Sequence, residues 1–220
     1  TVREFCEEEI EPIAQEVENE HRFPEEVFEQ LGELDMMGVP VSMEYGGLGG
    51  DQFMYSLVTE ELGRVSGGIG LSYAAHVSLG SKPIEMFGTE AQKEEWLEPL
   101  ASGEGMGAWA LTEPGSGSDA SDMDTMAVKD GDEYVLNGTK QFITNANVAN
   151  SVLVKAVTDP DAGYDGISTF IVDPEADDGF SVTNVWEKMG LNASPTCEIR
   201  FDGCRLPADR LLGEEGEGWE

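Results

Sequence analysis

The chain has 220 residues, 40% of them hydrophobic, with 45 acidic side chains against 12 basic ones and a formal net charge of -33. Trp, Phe, Tyr, Leu, Ile and Val recur along the whole length, so this is the composition of a folded protein and not of a disordered acidic tail. A field of this sign repels phosphate backbones and anionic membrane surfaces, which argues against nucleic-acid and membrane partners.

The same acidity suits a surface kept hydrated in strong salt, where repulsion between carboxylates is screened, and a salt-adapted (halophilic) origin is the expectation. Cys6, Cys197 and Cys204 are odd in number and form no C-x-x-C pair, which predicts reduced thiols, an intracellular (cytoplasmic) protein and no metal site. No apolar run approaches membrane-spanning length. The chain opens at Thr1 without a Met and stops after Trp219-Glu220, so both ends read as cut.

Helical patterns come first. Phe5, Ile10, Ile13 and Val17 recur at helical spacing between Val2 and Glu20, with Pro12 expected to kink or divide the segment. Pro24 suits a first helical turn, and Val27, Phe28, Leu31 and Leu34 make one apolar stripe. After the Gly-rich stretch from Tyr45 to Gly50, Asp51 is placed to cap a helix carrying Leu57, Val58 and Leu62. A small-residue segment from Gly67 to Gly80 and an amphipathic one from Thr89 to Leu100, capped by Thr89, complete a helical bundle.

Near Gly103 to Gly107 the period changes. Short β-rich runs follow at Met106 to Leu111, Thr125 to Lys129, Tyr134 to Asn137, Ser151 to Val157, Ile167 to Val172, Phe180 to Val185 and Cys197 to Phe201. Asp130-Gly131 and Asn137-Gly138 read as hairpin turns on either side of one run. The expected fold class is α+β: a helical domain over 1–105, a middle antiparallel β-barrel or sandwich over 106–212, and the start of a linker over 213–220.

Two segments carry chemistry. In Trp109-Ala110-Leu111-Thr112-Glu113-Pro114-Gly115-Ser116-Gly117-Ser118-Asp119 a strand runs into a Gly-Ser loop, whose clustered backbone N–H groups and hydroxyls can hold a pyrophosphate without a lysine. By composition alone a plain hairpin turn is the favoured reading, since such turns are common. In Phe142-Ile143-Thr144-Asn145 an aromatic ring beside a hydroxyl can wall a flat heterocycle, or simply pack into a core. Cofactor binding requires that the two segments meet in space.

Those two segments together resemble the paired flavin-site motifs of the acyl-CoA dehydrogenase family. Tyr45-Gly46-Gly47, Phe87-Gly88-Thr89-Glu90-Ala91-Gln92-Lys93, Asn137-Gly138-Thr139-Lys140 and Lys188-Met189-Gly190-Leu191 through Pro195-Thr196-Cys197 extend the likeness over essentially the whole chain. The resemblance implies a helical domain, a middle β-domain and a C-terminal four-helix domain missing from this chain, in a homotetramer. It implies FAD bound along Trp109, Ala110, Leu111, Thr112, Gly117 and Ser118 and along Phe142, Ile143 and Thr144, with Thr112 near the isoalloxazine ring. Ser118 also approaches acyl-CoA, and Thr144 lies near flavin N5. Phe142 stands where the family usually has Trp, and Asn192 where many relatives have Arg.

The implied reaction is α,β-dehydrogenation of an acyl-CoA to a trans-2-enoyl-CoA, with electrons passed to an electron-transfer flavoprotein. The catalytic base is expected beyond Glu220, and Glu113 reads as a structural turn residue. The Gly70-Leu71-Ser72-Tyr73-Ala74-Ala75-His76 segment resembles that of isovaleryl-CoA and other short branched-chain members near the acyl end of the pocket, though helix packing, with His76 an ordinary buried or capping residue, is the favoured explanation. An acyl-CoA oxidase of the same fold, or a non-catalytic acidic binding module, are the alternatives.

Overall fold

The computed structural model describes residues 1–219. Five helices form the first layer: α1 (residues 2–20), α2 (Glu25–Glu33), α3 (Gln52–Val65), α4 (residues 67–87) and α5 (residues 90–102). Two of the expected caps form as read. Asp51 Oδ1 accepts from the Met54 N–H at 2.9 Å, and Thr89 and Gln92 close a reciprocal capping box. Pro24 stands at the cap position itself, one residue before α2.

Pro12 does not divide α1. The helix instead widens to π geometry over Cys6–Ile10, and the same widening precedes Pro83 (His76–Ser81) and Pro99 (Lys93–Leu97). Proline lacks an N–H and its ring crowds the carbonyl four residues back, and one wider turn accommodates both without breaking the helix. The helices enclose a core of Ile10, Val17, Val27, Phe28, Leu31, Val58, Leu62, Ile69 and Tyr73.

The second layer is one eight-stranded sheet: β1 (Gly107–Ala110), β2 (Met126–Asp130), β3 (Glu133–Thr144), β4 (Ser151–Val157), β5 (Ile167–Val172), β6 (Phe180–Val185), β7 (Thr196–Pro207) and β8 (Leu211–Leu212). Its path is β6-β7-β3-β2-β4-β5-β8, with β1 attached to β4. The expected helical domain and β-domain are both present; within the expected antiparallel barrel or sandwich one detail is corrected, since the sheet is mixed and does not close. β1 runs parallel to β4, and β2 meets β4 in parallel at Met126 and Val157. A tight hairpin forces antiparallel pairing, whereas the loop over 111–125 and the β2–β3 hairpin separate β1 from β4 and leave their direction free.

Asn137-Gly138 is a second correction. Asp130-Gly131 does turn the chain, with Gly131 at φ 70°. Asn137-Gly138 instead lies inside the 12-residue β3, at a bulge opposite β7. Glycine is needed there because a Cβ would overlap the Thr125 side chain. The dipeptide serves close approach, not reversal.

One sheet face buries Ala108, Ala110, Leu136, Val152, Val154, Phe170, Ile199 and Phe201. On the other, Leu153 and Ile171 pack against Trp96, Leu97 and Leu100 of the helical layer. The layers approach backbone to backbone where Gly80 meets Gly107, with no room for a Cβ on either. His76 joins them there, accepting from the Gly107 N–H at Nδ1 (3.0 Å) and lying 3.1 Å from the Leu100 carbonyl at Nε2. Among the described residues, no helix is long and apolar enough to cross a membrane.

Candidate functional site

The first motif leaves β1 at Ala110 and folds on itself. Glu113 and Ser116 exchange backbone hydrogen bonds at 2.9 and 3.2 Å, and the Ser116 hydroxyl donates to the Asp119 carbonyl at 2.7 Å. This turn leaves Gly117 and Ser118 exposed, with no hydrogen bond from either backbone N–H among the described residues.

The second motif ends β3. Pairing with β7 jumps from Lys140↔Ile199 to Ile143↔Cys197, so Gln141 and Phe142 bulge out of the ladder. Phe142 takes φ 62°, a conformation a bulky side chain rarely adopts, and the residue is 54% exposed. It tilts against Trp186, with ring centroids 5.7 Å apart. Strain is thus accepted to hold an aromatic surface open.

The two motifs meet. The Gln141 N–H donates to the Thr112 carbonyl at 2.8 Å. Lys140 Nζ donates to the Leu111 carbonyl at 3.0 Å and to Glu113 Oε1 at 2.7 Å, and contacts Met123 Sδ at 3.8 Å. The Glu113 carboxylate also accepts from the N–H groups of Asp124 (2.6 Å) and Thr125 (3.0 Å). Burial pushes the Glu113 carboxyl up, but the hydrogen bonds from Lys140, Thr125 and Asp124 outweigh it and hold it below the usual range. A carboxylate consumed in this way is a staple, and it is unsuited to abstract a substrate proton.

The remaining expected residues divide by burial. Ala110 and Ile143 bury their side chains in the sheet core and offer a ligand only backbone. Thr112 and Thr144 are half-buried, and neither hydroxyl has a partner among the described residues. Trp109 faces the opposite way from Ala108 and Ala110, and with Leu111 it walls a cavity of about 360 Å³. Burial pushes His76 down to about 4, so it is a neutral packing residue. It likewise pushes the thiol of Cys197 up to about 11 and that of Cys204 up to about 12, far from nucleophilic.

Sequence reasoning assigned no role to Lys140, Asn145 or Trp186. Asn145, buried at φ 68°, donates from Nδ2 to the Ser72 carbonyl at 3.0 Å, while its Oδ1 has no partner among the described residues. A lysine inside a strand of so acidic a chain was the available signal for the first; the other two show only in three dimensions. Exposed Gly117 and Ser118 N–H groups, unpaired Thr112 and Thr144 hydroxyls and a strained aromatic wall fit a dinucleotide that carries a flat ring.

The two halves match two family descriptions in sequence. Residues 1–104 match the acyl-CoA dehydrogenase N-terminal domain and residues 108–204 its middle domain. The chain therefore belongs to the acyl-CoA dehydrogenase family through these two domains. It is 45% identical over 218 residues to the short-chain-specific acyl-CoA dehydrogenase of Clostridium acetobutylicum, covering 99% of this chain and 57% of that protein. A structure described as the electron transferring flavoprotein of Acidaminococcus fermentans superposes with TM-score 0.97 at 43% identity, over 99% of this chain and 57% of that one. An acyl-CoA dehydrogenase complexed with FAD from Bacillus anthracis superposes with TM-score 0.91 at 38% identity, over 99% and 37%. The chain spans just over half the length of its curated relative.

Proposed function

We propose that this chain supplies the flavin platform of an FAD-dependent dehydrogenase acting on short-chain acyl-CoA thioesters. The observation that carries the reading is the junction of the two motifs, where Lys140 reaches both Leu111 and Glu113. In this reading residues 1–105 and 106–212 are the two domains, with 213–220 opening a linker. Thr112 and the Leu111 backbone hold the edge of the ring system, Phe142 walls it and Thr144 hydrogen-bonds beside it. The Gly117 and Ser118 N–H groups take the pyrophosphate, and the Ser118 hydroxyl approaches the thioester ligand.

When bound, FAD supplies the acceptor for the hydride lost from the acyl β-carbon. This chain's part is orientation and exclusion of water; the base lies beyond Glu220. The relative named as short-chain specific supports a short acyl group; a short branched chain such as isovaleryl is the second candidate. The neighbour described as an electron transferring flavoprotein supports that kind of protein as the redox partner. A cytoplasmic homotetramer with a salt-adapted surface completes the reading.

The test is the visible spectrum of the full-length protein before and after anaerobic addition of butyryl-CoA or isovaleryl-CoA. Bleaching of an oxidised flavin band with either establishes the activity and ranks the two chains. A correctly folded protein with no flavin would sink the reading.

A further inference from the structure

Two lysines are buried in the sheet, and they differ in one respect. Lys140 finds three acceptors. Lys155, on β4, is only 8% exposed, yet its ammonium has no hydrogen-bond or ion-pair partner among the described residues. Its one favourable contact is the face of Trp109, with Nζ 5.0 Å from the ring centroid. The ammonium itself still reaches solvent through the cavity beside it, so it is partly desolvated and open to an anion brought from that side. In a chain with 45 acidic residues, leaving such a cation unpaired runs against the whole composition.

Lys155 also lines a space into which an acceptor can enter. It lines the cavity of about 360 Å³ that Trp109 and Leu111 wall, with Phe87, Leu212 and Trp219 as further apolar surface. Glu217 also borders this cavity, but it is exposed and makes no ion pair with Lys155. An apolar pocket holding a single inward cation is matched by a chain that is apolar along its length and anionic at its end. Leu111 connects this cavity to the ring site, since its carbonyl accepts from Lys140 and the next carbonyl, of Thr112, accepts from Gln141.

We propose that this cavity receives the far end of an acyl group ending in a carboxylate, with Lys155 as the counter-ion that selects a dicarboxylic over a simple fatty acyl thioester. This rests on the acyl-CoA reading above. Burial, with a smaller contribution from the charge of Lys140, already pulls the Lys155 amine below its ordinary value. A bound carboxylate offsets that and keeps it charged.

The test uses the full-length protein and two S-alkyl thioethers of CoA of equal length, one ending in a carboxylate and one in a methyl group. Neither has a thioester carbonyl, so neither can be oxidised, and calorimetry reads binding alone. The carboxylate-ended ligand is expected to bind about tenfold more tightly or better, as one charged hydrogen bond allows. Lys155→Met should abolish that preference and Lys155→Arg should keep most of it. Equal binding of the two ligands to the unaltered protein overturns the proposal, as does a preference that survives Lys155→Met. If that variant fails to fold, the unaltered protein and Lys155→Arg still decide. Failure of the acyl-CoA reading itself shows separately, as binding of neither thioether.

Discussion

Lys140 Nζ lies 2.7 Å from Glu113 Oε1, both side chains essentially without solvent exposure, and this ion pair fastens the loop after β1 to the bulge that ends β3. A buried pair adds little stability compared with a well-packed apolar pair, but removing one partner strands the other charge at a cost of about 3–5 kcal/mol. Lys140→Met should therefore lower unfolding free energy by about that amount in denaturant titrations and lose flavin with it. Lys140→Met with Glu113→Gln should recover much of the stability and less of the flavin binding. A single variant as stable as the parent would show that the pair does not fasten the two motifs.

Phe142 separates stability from binding. Its left-handed backbone costs roughly 1–2 kcal/mol, so Phe142→Gly relieves strain while losing the contact with Trp186, and the net change should stay within about 1 kcal/mol. Flavin affinity, followed by quenching of flavin fluorescence, should fall more than about tenfold, since one stacking partner is worth that much. Phe142→Trp should retain binding. Unchanged affinity in the glycine variant would remove Phe142 from the site.

His76 makes stability depend on pH, and the sign follows from its depressed value. Burial pushes it down to about 4 from an ordinary 6.5. Above 6.5 it is neutral in both folded and unfolded chains. As pH falls below that, the unfolded chain takes a proton that the folded one refuses, so stability is lost until the folded value is reached. The loss attributable to His76 is roughly 3 kcal/mol. His76→Gln should show a shallower decline of unfolding free energy over this window, and parallel curves would exclude the role.

Net charge predicts a response to salt. With -33 formal charges, lowering the salt from molar to millimolar lengthens the screening distance and lets the carboxylates repel. The melting temperature should fall steeply and cooperatively as salt is removed. A melting temperature indifferent to salt would leave the acidity without this explanation.

Much of the candidate site was legible as segments but not as a site. The Gly-Ser loop and the Phe142-Ile143-Thr144 run stand out in the chain, yet composition alone favours a plain hairpin turn and core packing. What decides against that is the Thr112 carbonyl against the Gln141 N–H, a contact between residues far apart in sequence. Phe142 reads as a core aromatic until the bulge turns it outward.

By itself the sequence determined what short-range forces set. The Asp51 and Thr89 caps form because a side-chain oxygen meets an N–H within one turn, and Ser151–Val157, Ile167–Val172 and Phe180–Val185 begin and end where their β-forming residues do. Tertiary structure alone decided the parallel entry of β1 beside β4, the use of Gly138 for close approach instead of a turn, and the contrast between a paired Lys140 and an unpaired Lys155. Each of these depends on which distant segment lies alongside. A buried charge or a glycine acquires its meaning from that neighbour, and no local pattern encodes it.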